Sequence, residues 1–203
     1  MRKPAFLQPR ILKMAIVSAL SPAYTTKFPG EPFIPQDSFR GRPRYNAEGC
    51  IGCGACAQVC PSKCIEVIDD LDSSPPKRTL VQHFDACIMC GQCERYCPTG
   101  SGIRMSTDWD TAGFKPEDFE ERVEKELVLC EVCGEVLAPA DQLAWLADRL
   151  GPVAFANPTL SMYSGMGLGY VEEGVKNPAE EVLRQDRMAM QCPKCRRQSA
   201  WAA

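Results

Sequence analysis

The chain reads as an α+β fold: a small core with an internal pseudo-twofold repeat, an amphipathic N-terminal arm, and a helical C-terminal extension closed by a four-cysteine site. Three observations predict it. The spacing Cys-x2-Cys-x2-Cys-x3-Cys-Pro occurs twice, at Cys50, Cys53, Cys56, Cys60-Pro61 and at Cys87, Cys90, Cys93, Cys97-Pro98. Each copy is followed by a short alternating segment, Ile65-Glu66-Val67 or Ile103-Arg104-Met105, the pattern of a loop and short helix feeding a strand. Two further Cys-x2-Cys pairs, Cys130 with Cys133 and Cys192 with Cys195, lie beyond the repeat.

The first element is a helix. Between Arg10 and Leu20, the residues Ile11, Leu12, Ala15, Ile16, Ala19 and Leu20 share one helical face, with Arg10 and Lys13 off it. The run is too short to span a bilayer. Arg2 and Lys3 ahead of it imitate an export signal, but Pro9 and Lys13 interrupt the apolar stretch, so none is expected. Residues 21–49, punctuated by Pro22, Pro29, Pro32, Pro35 and Pro43, lack periodicity and read as extended chain. Residues 1–43 thus form a docking helix and arm.

The repeat occupies 44–108. Its middle, Ile65–Asp70 and Thr79–Phe84 around Ser73-Ser74-Pro75-Pro76, reads as a hairpin. His83, the single histidine, falls in the second strand as a satisfied strand residue. Residues 109–203 read as mostly helical: one helix from Pro116-Glu117-Asp118 toward Leu129, another from Pro139 to before Gly151, and a third from Asn177-Pro178 into Cys192. Gly165-Met166-Gly167-Leu168-Gly169 departs from the dinucleotide-loop spacing and reads as a flexible loop.

The doubled spacing is that of two [4Fe–4S] clusters. Three thiolates two residues apart wrap three corners of a cubane, and the fourth, beyond a helical turn, points to the other cluster. Cys50, Cys53, Cys56 and Cys97 are therefore assigned to the first cluster, and Cys87, Cys90, Cys93 and Cys60 to the second. Gly54 and Gly91 sit where amides approach sulfur, and Ile51 and Ile88 where a side chain shields the cluster. The remaining four paired thiols make a tetrahedral S4 site suited to zinc or to a single rubredoxin-like iron. The 58 residues between the pairs exceed the zinc-ribbon interval of ~15–20, so an insertion is expected. Cys64 is left over from thirteen cysteines and reads as a buried thiol. An odd count argues against a secreted disulfide scaffold and for a reducing cytoplasm.

Formal charge is −3, and bound four-thiolate centres make it more negative, which disfavours nucleic-acid binding as the main task. Charge is uneven: residues 1–46 hold eight Lys or Arg against Glu31 and Asp37, while residues 108–135 hold ten acids against three bases. The sequence offers no nucleophile with a base, no paired-carboxylate site and no phosphate loop, so no catalytic residue is assigned.

Together with the two cluster motifs and the terminal Cys pairs, Asp37-Ser38-Phe39-Arg40-Gly41-Arg42-Pro43 resembles the polyferredoxin subunit of formate hydrogenlyase and related membrane-bound [NiFe] hydrogenases, itself similar to the two-cluster subunit of respiratory complex I. The resemblance covers most of residues 1–135 and the final knuckle, and weakens through 136–190. It implies an electron relay between a donor, formate dehydrogenase or a ferredoxin, and the hydrogenase small and large subunits. It also implies a peripheral place on the cytoplasmic face of the membrane. The alternative is the equivalent subunit of a complex I-like quinone or ferredoxin oxidoreductase; a zinc-ribbon interaction or nucleic-acid protein is a third.

Overall fold

The computed structural model describes residues 9–22, 24–25, 27–167 and 189–201. Two compact units divide the chain, residues 1–37 and 38–203. The first contains α1 (Pro9–Leu20), which buries none of its residues. It ends where the Ser21 backbone N–H and hydroxyl both donate to Val17 O, at 2.9 and 2.7 Å, just before Pro22. Its apolar side chains, Ile11, Leu12, Met14, Ile16, Val17 and Leu20, are all exposed. Among the described residues no helix is long and apolar enough to cross a membrane.

In the second unit, β1 (Pro43–Tyr45) pairs antiparallel with β4 (Ile103–Met105), placing Tyr45 opposite Ile103. This ribbon ties the start of one half-repeat to the end of the other. The short helices α2 (Ala55–Val59) and α3 (Gln92–Arg95) start at Gly54 and Gly91, with φ of 72° and 75°. The repeat extends to other left-handed positions: Gly52 matches Met89 and Lys63 matches Gly100, each at the same offset from its cysteines. Two non-glycine residues thus accept a backbone that usually favours glycine, because the repeat dictates it.

The hairpin of β2 (Ile65–Asp70) and β3 (Lys77–His83) forms as its sequence predicts, and Asp70 Oδ1 accepts from the N–H groups of Asp72 and Ser73 in its turn. Three consecutive β3 residues, Leu80, Val81 and Gln82, are buried. The strand is also paired along both edges, and the second neighbour is not the predicted helix.

Residues 116–129 are the main correction. Pro116–Phe119 makes one 3-10 turn, and Glu120–Leu129 is strand β5, paired with β3 along its length, Val123 opposite Leu80. Proline and acids suit a helix start, but β3 has an open edge whose amides and carbonyls need partners. The alternation was masked because Lys125 stands on the inward face between the buried Val123 and Leu127. After β5, β6 (Val136–Pro139) completes a sheet of order β2-β3-β5-β6. The extension is therefore mixed rather than mostly helical.

The helix from Pro139 is present as α4 (Ala140–Leu150), closed by Gly151. A 3-10 segment, Gly151–Ala156, leads to α5 (Pro158–Gly167), whose first turn is held by Asn157 Oδ1 accepting from Thr159 and Leu160 N–H. Gly165–Gly167 is the end of this helix, not a flexible loop; Leu168, Gly169 and the helix expected from Asn177-Pro178 lie outside the described residues. Last comes α6 (Pro193–Trp201). One core gathers Cys50, Cys56, Cys64, Ile65, Leu80, Cys93, Ile103 and Val123, and another gathers Leu143, Ala154, Leu160, Met162 and Met190. Burying Leu80 and Ile103, 1% and 2% exposed, contributes ~1.5–3 kcal/mol each.

Candidate iron–sulfur and metal centres

Each half-repeat builds a loop, a left-handed turn and a short helix, so three of its cysteines curl around one point. The fourth leaves at the helix end and reaches across. One small cavity is lined by Cys50, Cys53, Cys56 and Cys97, with Leu80 and Ile103 among its walls. A second is lined by Cys60, Cys87, Cys90 and Cys93, and by Cys64. The two sets of four expected from the spacing are thus brought together, with the fourth cysteine exchanged between halves.

The cysteines lie among largely apolar walls. Burial pushes the Cys56 thiol up to about 12 and Cys93 to about 11, so an anionic centre must draw its stabilisation from charge sharing and hydrogen bonds. Tyr45 Oη lies 4.0 Å from Cys56 Sγ, and Gln82 Nε2 lies 4.0 Å from Cys87 Sγ. Both residues stand five positions before the first cysteine of a loop. Ser62 and Thr99, each two positions after a fourth cysteine, bring hydroxyls to Cys60 Sγ (3.5 Å) and Cys97 Sγ (3.3 Å). Burial raises the Cys97 thiol, but the Thr99 hydroxyl and backbone amides outweigh it and the net shift is downward. The Met89 N–H adds a bond to Cys87 Sγ at 3.4 Å. Four sulfurs gathered around one small cavity, with donors aimed at them, fit a four-thiolate cluster in both places.

The loops differ in exposure. Ile51 is 8% exposed and Ile88 65%; the first loop packs at Gly52 against Lys125 of β5 and Pro139 of β6. Cys64, 3% exposed, sits with its Sγ 3.4 Å from Cys60 Sγ. His83 leaves both cavities alone: Nδ1 lies 3.4 Å from Glu120 and Nε2 3.8 Å from Glu66.

The third site joins the turn between β5 and β6 to the start of α6. The Sγ atoms of Cys130, Cys133, Cys192 and Cys195 all lie within 4.8 Å of one another. Cys133 and Cys192 Sγ are 3.7 Å apart, close to the edge of about 3.8 Å that a metal–sulfur bond of about 2.3 Å requires in a tetrahedron. Cys192 N–H donates to Cys130 Sγ (3.3 Å) and Cys195 N–H to Cys192 Sγ (3.5 Å). Gly134, with φ of 72°, turns the first knuckle so that its N–H donates to Cys130 O at 2.8 Å. The donor set and geometry fit an S4 metal, zinc or iron alike.

Sequence reasoning missed the side-chain donors to sulfur. Aligning the half-repeats residue by residue finds Tyr45 with Gln82 and Ser62 with Thr99. Nothing local finds Arg78 and Lys125, which reach the first loop from β3 and β5.

Residues 49–101 match the 4Fe-4S dicluster domain, so the chain carries a dicluster iron–sulfur domain. It is related to formate hydrogenlyase subunit 6 of Escherichia coli, with 40% identity over 115 residues, 56% of this chain and 62% of that protein. It is also similar to NADH-quinone oxidoreductase subunit 9 of Rhodothermus marinus, 39% over 64 residues, and to NAD(P)H-quinone oxidoreductase subunit I of a Picosynechococcus species, 40% over 57 residues, each covering 28% of both chains. The chain therefore spans 62% of the first of these relatives and 28% of the others. A chain of the membrane-bound sulfane sulfur reductase, an archaeal respiratory membrane complex, is 27% identical, with a TM-score of 0.39 over 58% of this chain and 61% of that one.

Proposed function

We propose that the chain is an electron-transfer subunit of a membrane-associated [NiFe] hydrogenase or formate hydrogenlyase-type complex. In this reading Cys50, Cys53, Cys56 and Cys97 hold one [4Fe–4S] cluster, and Cys87, Cys90, Cys93 and Cys60 hold the other. When bound, such clusters take up and release single electrons. The chain's own residues hold the two sites at fixed spacing, exclude water through Leu80 and Ile103, and aim Tyr45, Thr99, Ser62 and Gln82 at sulfur. The observation that carries the reading is the pair of pseudosymmetric four-sulfur cavities with an exchanged fourth cysteine. The similarity to formate hydrogenlyase subunit 6 supports the choice of complex, since it runs over 115 residues, more than the dicluster domain.

Residues 44–108 serve as the cluster domain, and 109–203 as an extension clamped by zinc, or by one iron, at Cys130, Cys133, Cys192 and Cys195. Residues 1–43 dock the subunit to its neighbours, with α1 covered in the complex. Chemistry belongs to the hydrogenase subunits and to a donor such as formate dehydrogenase or a ferredoxin, and the subunit lies on the cytoplasmic face. A second reading, the equivalent subunit of a complex I-like quinone or ferredoxin oxidoreductase, is favoured by the similarity to subunit 9.

Anaerobic purification of the tagged protein in mild detergent, with identification of the accompanying subunits, separates the two. A [NiFe] hydrogenase large subunit is the expected companion. Quinone-module subunits alone select the second reading, and a lone protein contradicts both.

A further inference from the structure

We infer that Lys125, supplied by the strand added beyond the repeat, is a positioning residue that grips the first cysteine loop and makes the two four-cysteine sites electrostatically unequal. The inference rests on the reading of those sites as [4Fe–4S] centres. Lys125 stands on the inward face of β5, its side chain 13% exposed. Its Nζ donates to Ala47 O, three residues before Cys50, and to Asp141 Oδ2, both at 2.6 Å. Its stem lies against Gly52, two residues after Cys50: a Cβ on Gly52 would stand 3.0 Å from Lys125 Cβ and 3.1 Å from Pro139 Cγ. Head and stem hold the loop on both sides of Cys50.

A second inner cation joins it. Arg78 Nη1 donates to Gly52 O at 3.3 Å, while its Nε and Nη2 are held by Asp69 at 2.6 and 2.8 Å. The second loop is treated differently. There Ile88 is exposed, and Arg40 Nη1, which donates to Cys90 O at 3.3 Å, comes from an exposed side chain. A four-thiolate centre becomes more negative on reduction, so a cation held beside it where water is scarce favours the reduced form. Lys125 therefore raises the potential of the first centre, and Asp141 opposes it.

Two variants break the same ion pair with opposite charge changes. Lys125→Met removes a positive charge, and Asp141→Asn, at a position half exposed, removes a negative one and leaves the bond to Ala47 in place. Redox titration of the anaerobic holoprotein, followed by electron paramagnetic resonance, reads both centres at once. Lys125→Met shifts one of the two potentials downward, Asp141→Asn shifts the same one upward, Lys125→Arg restores it, and the other potential stays nearest the parent value. If both variants move it in one direction, or neither moves it, the ion pair only holds the structure together and the inference is overturned. If the parent protein shows no pair of [4Fe–4S] signals, the reading of the sites falls, and the inference with it.

Discussion

Two cysteines four residues apart play different parts. Cys60 lines the second cavity as the cysteine exchanged between halves, whereas Cys64, whose thiol burial pushes up, is the one cysteine of that cavity outside the repeated spacing. Cys60→Ala therefore loses the iron of one centre, about half the cluster iron, while Cys64→Ala keeps it; iron analysis and visible absorption distinguish the two. Gly52 carries a different constraint. With φ of 67° and a Cβ position 3.0 Å from Lys125, a side chain there is strained by backbone and contact together. Gly52→Ala is expected to cost ~1–3 kcal/mol, read as a lower thermal midpoint of the holoprotein with earlier bleaching of cluster absorption. At this scale the ligands were legible because their spacing is local. Tyr45, Gln82, Ser62 and Thr99 were legible only through the repeat, and Arg78 and Lys125 not at all, since their contacts with the loop bridge 26 and 78 residues.

Strand β5 shows where reading elements from sequence fails. Pro116-Glu117-Asp118 carries genuine helix-start chemistry, yet the segment answers to the open edge of β3 and to an inward lysine that no alternation rule anticipates. The hairpin β2–β3, α1 and α4 were legible because their periodicity or their proline and glycine boundaries are intrinsic to the segment. Placing β5 between β3 and β6 also changes what the third site does: its first knuckle is the turn between two strands, and its second the start of α6. Removing its metal, by chelation or by Cys133→Ser, is expected to loosen 128–139 and 189–201. Hydrogen exchange checks this, with amides there losing protection while those of β1, β3 and β4 keep theirs.

On the scale of the whole molecule, the two half-repeats and β5 share one core that gathers Leu80 with Cys50, Cys93, Ile103 and Val123. Leu80→Ala is expected to destabilise by ~2–5 kcal/mol and to impair the first centre more than the second, because Leu80 lines the first cavity. In the unit of residues 1–37, α1 buries none of its residues. Its deletion is expected to leave cluster content intact and to abolish co-purification with the other subunits. Everything proposed depends on the two cavities holding clusters. The most direct test is to reduce the anaerobically purified protein, count iron and acid-labile sulfide, and record its electron paramagnetic resonance. Two [4Fe–4S] signals with about eight irons and eight sulfides per chain are predicted; metal bound without sulfide, or one cluster alone, contradicts the account.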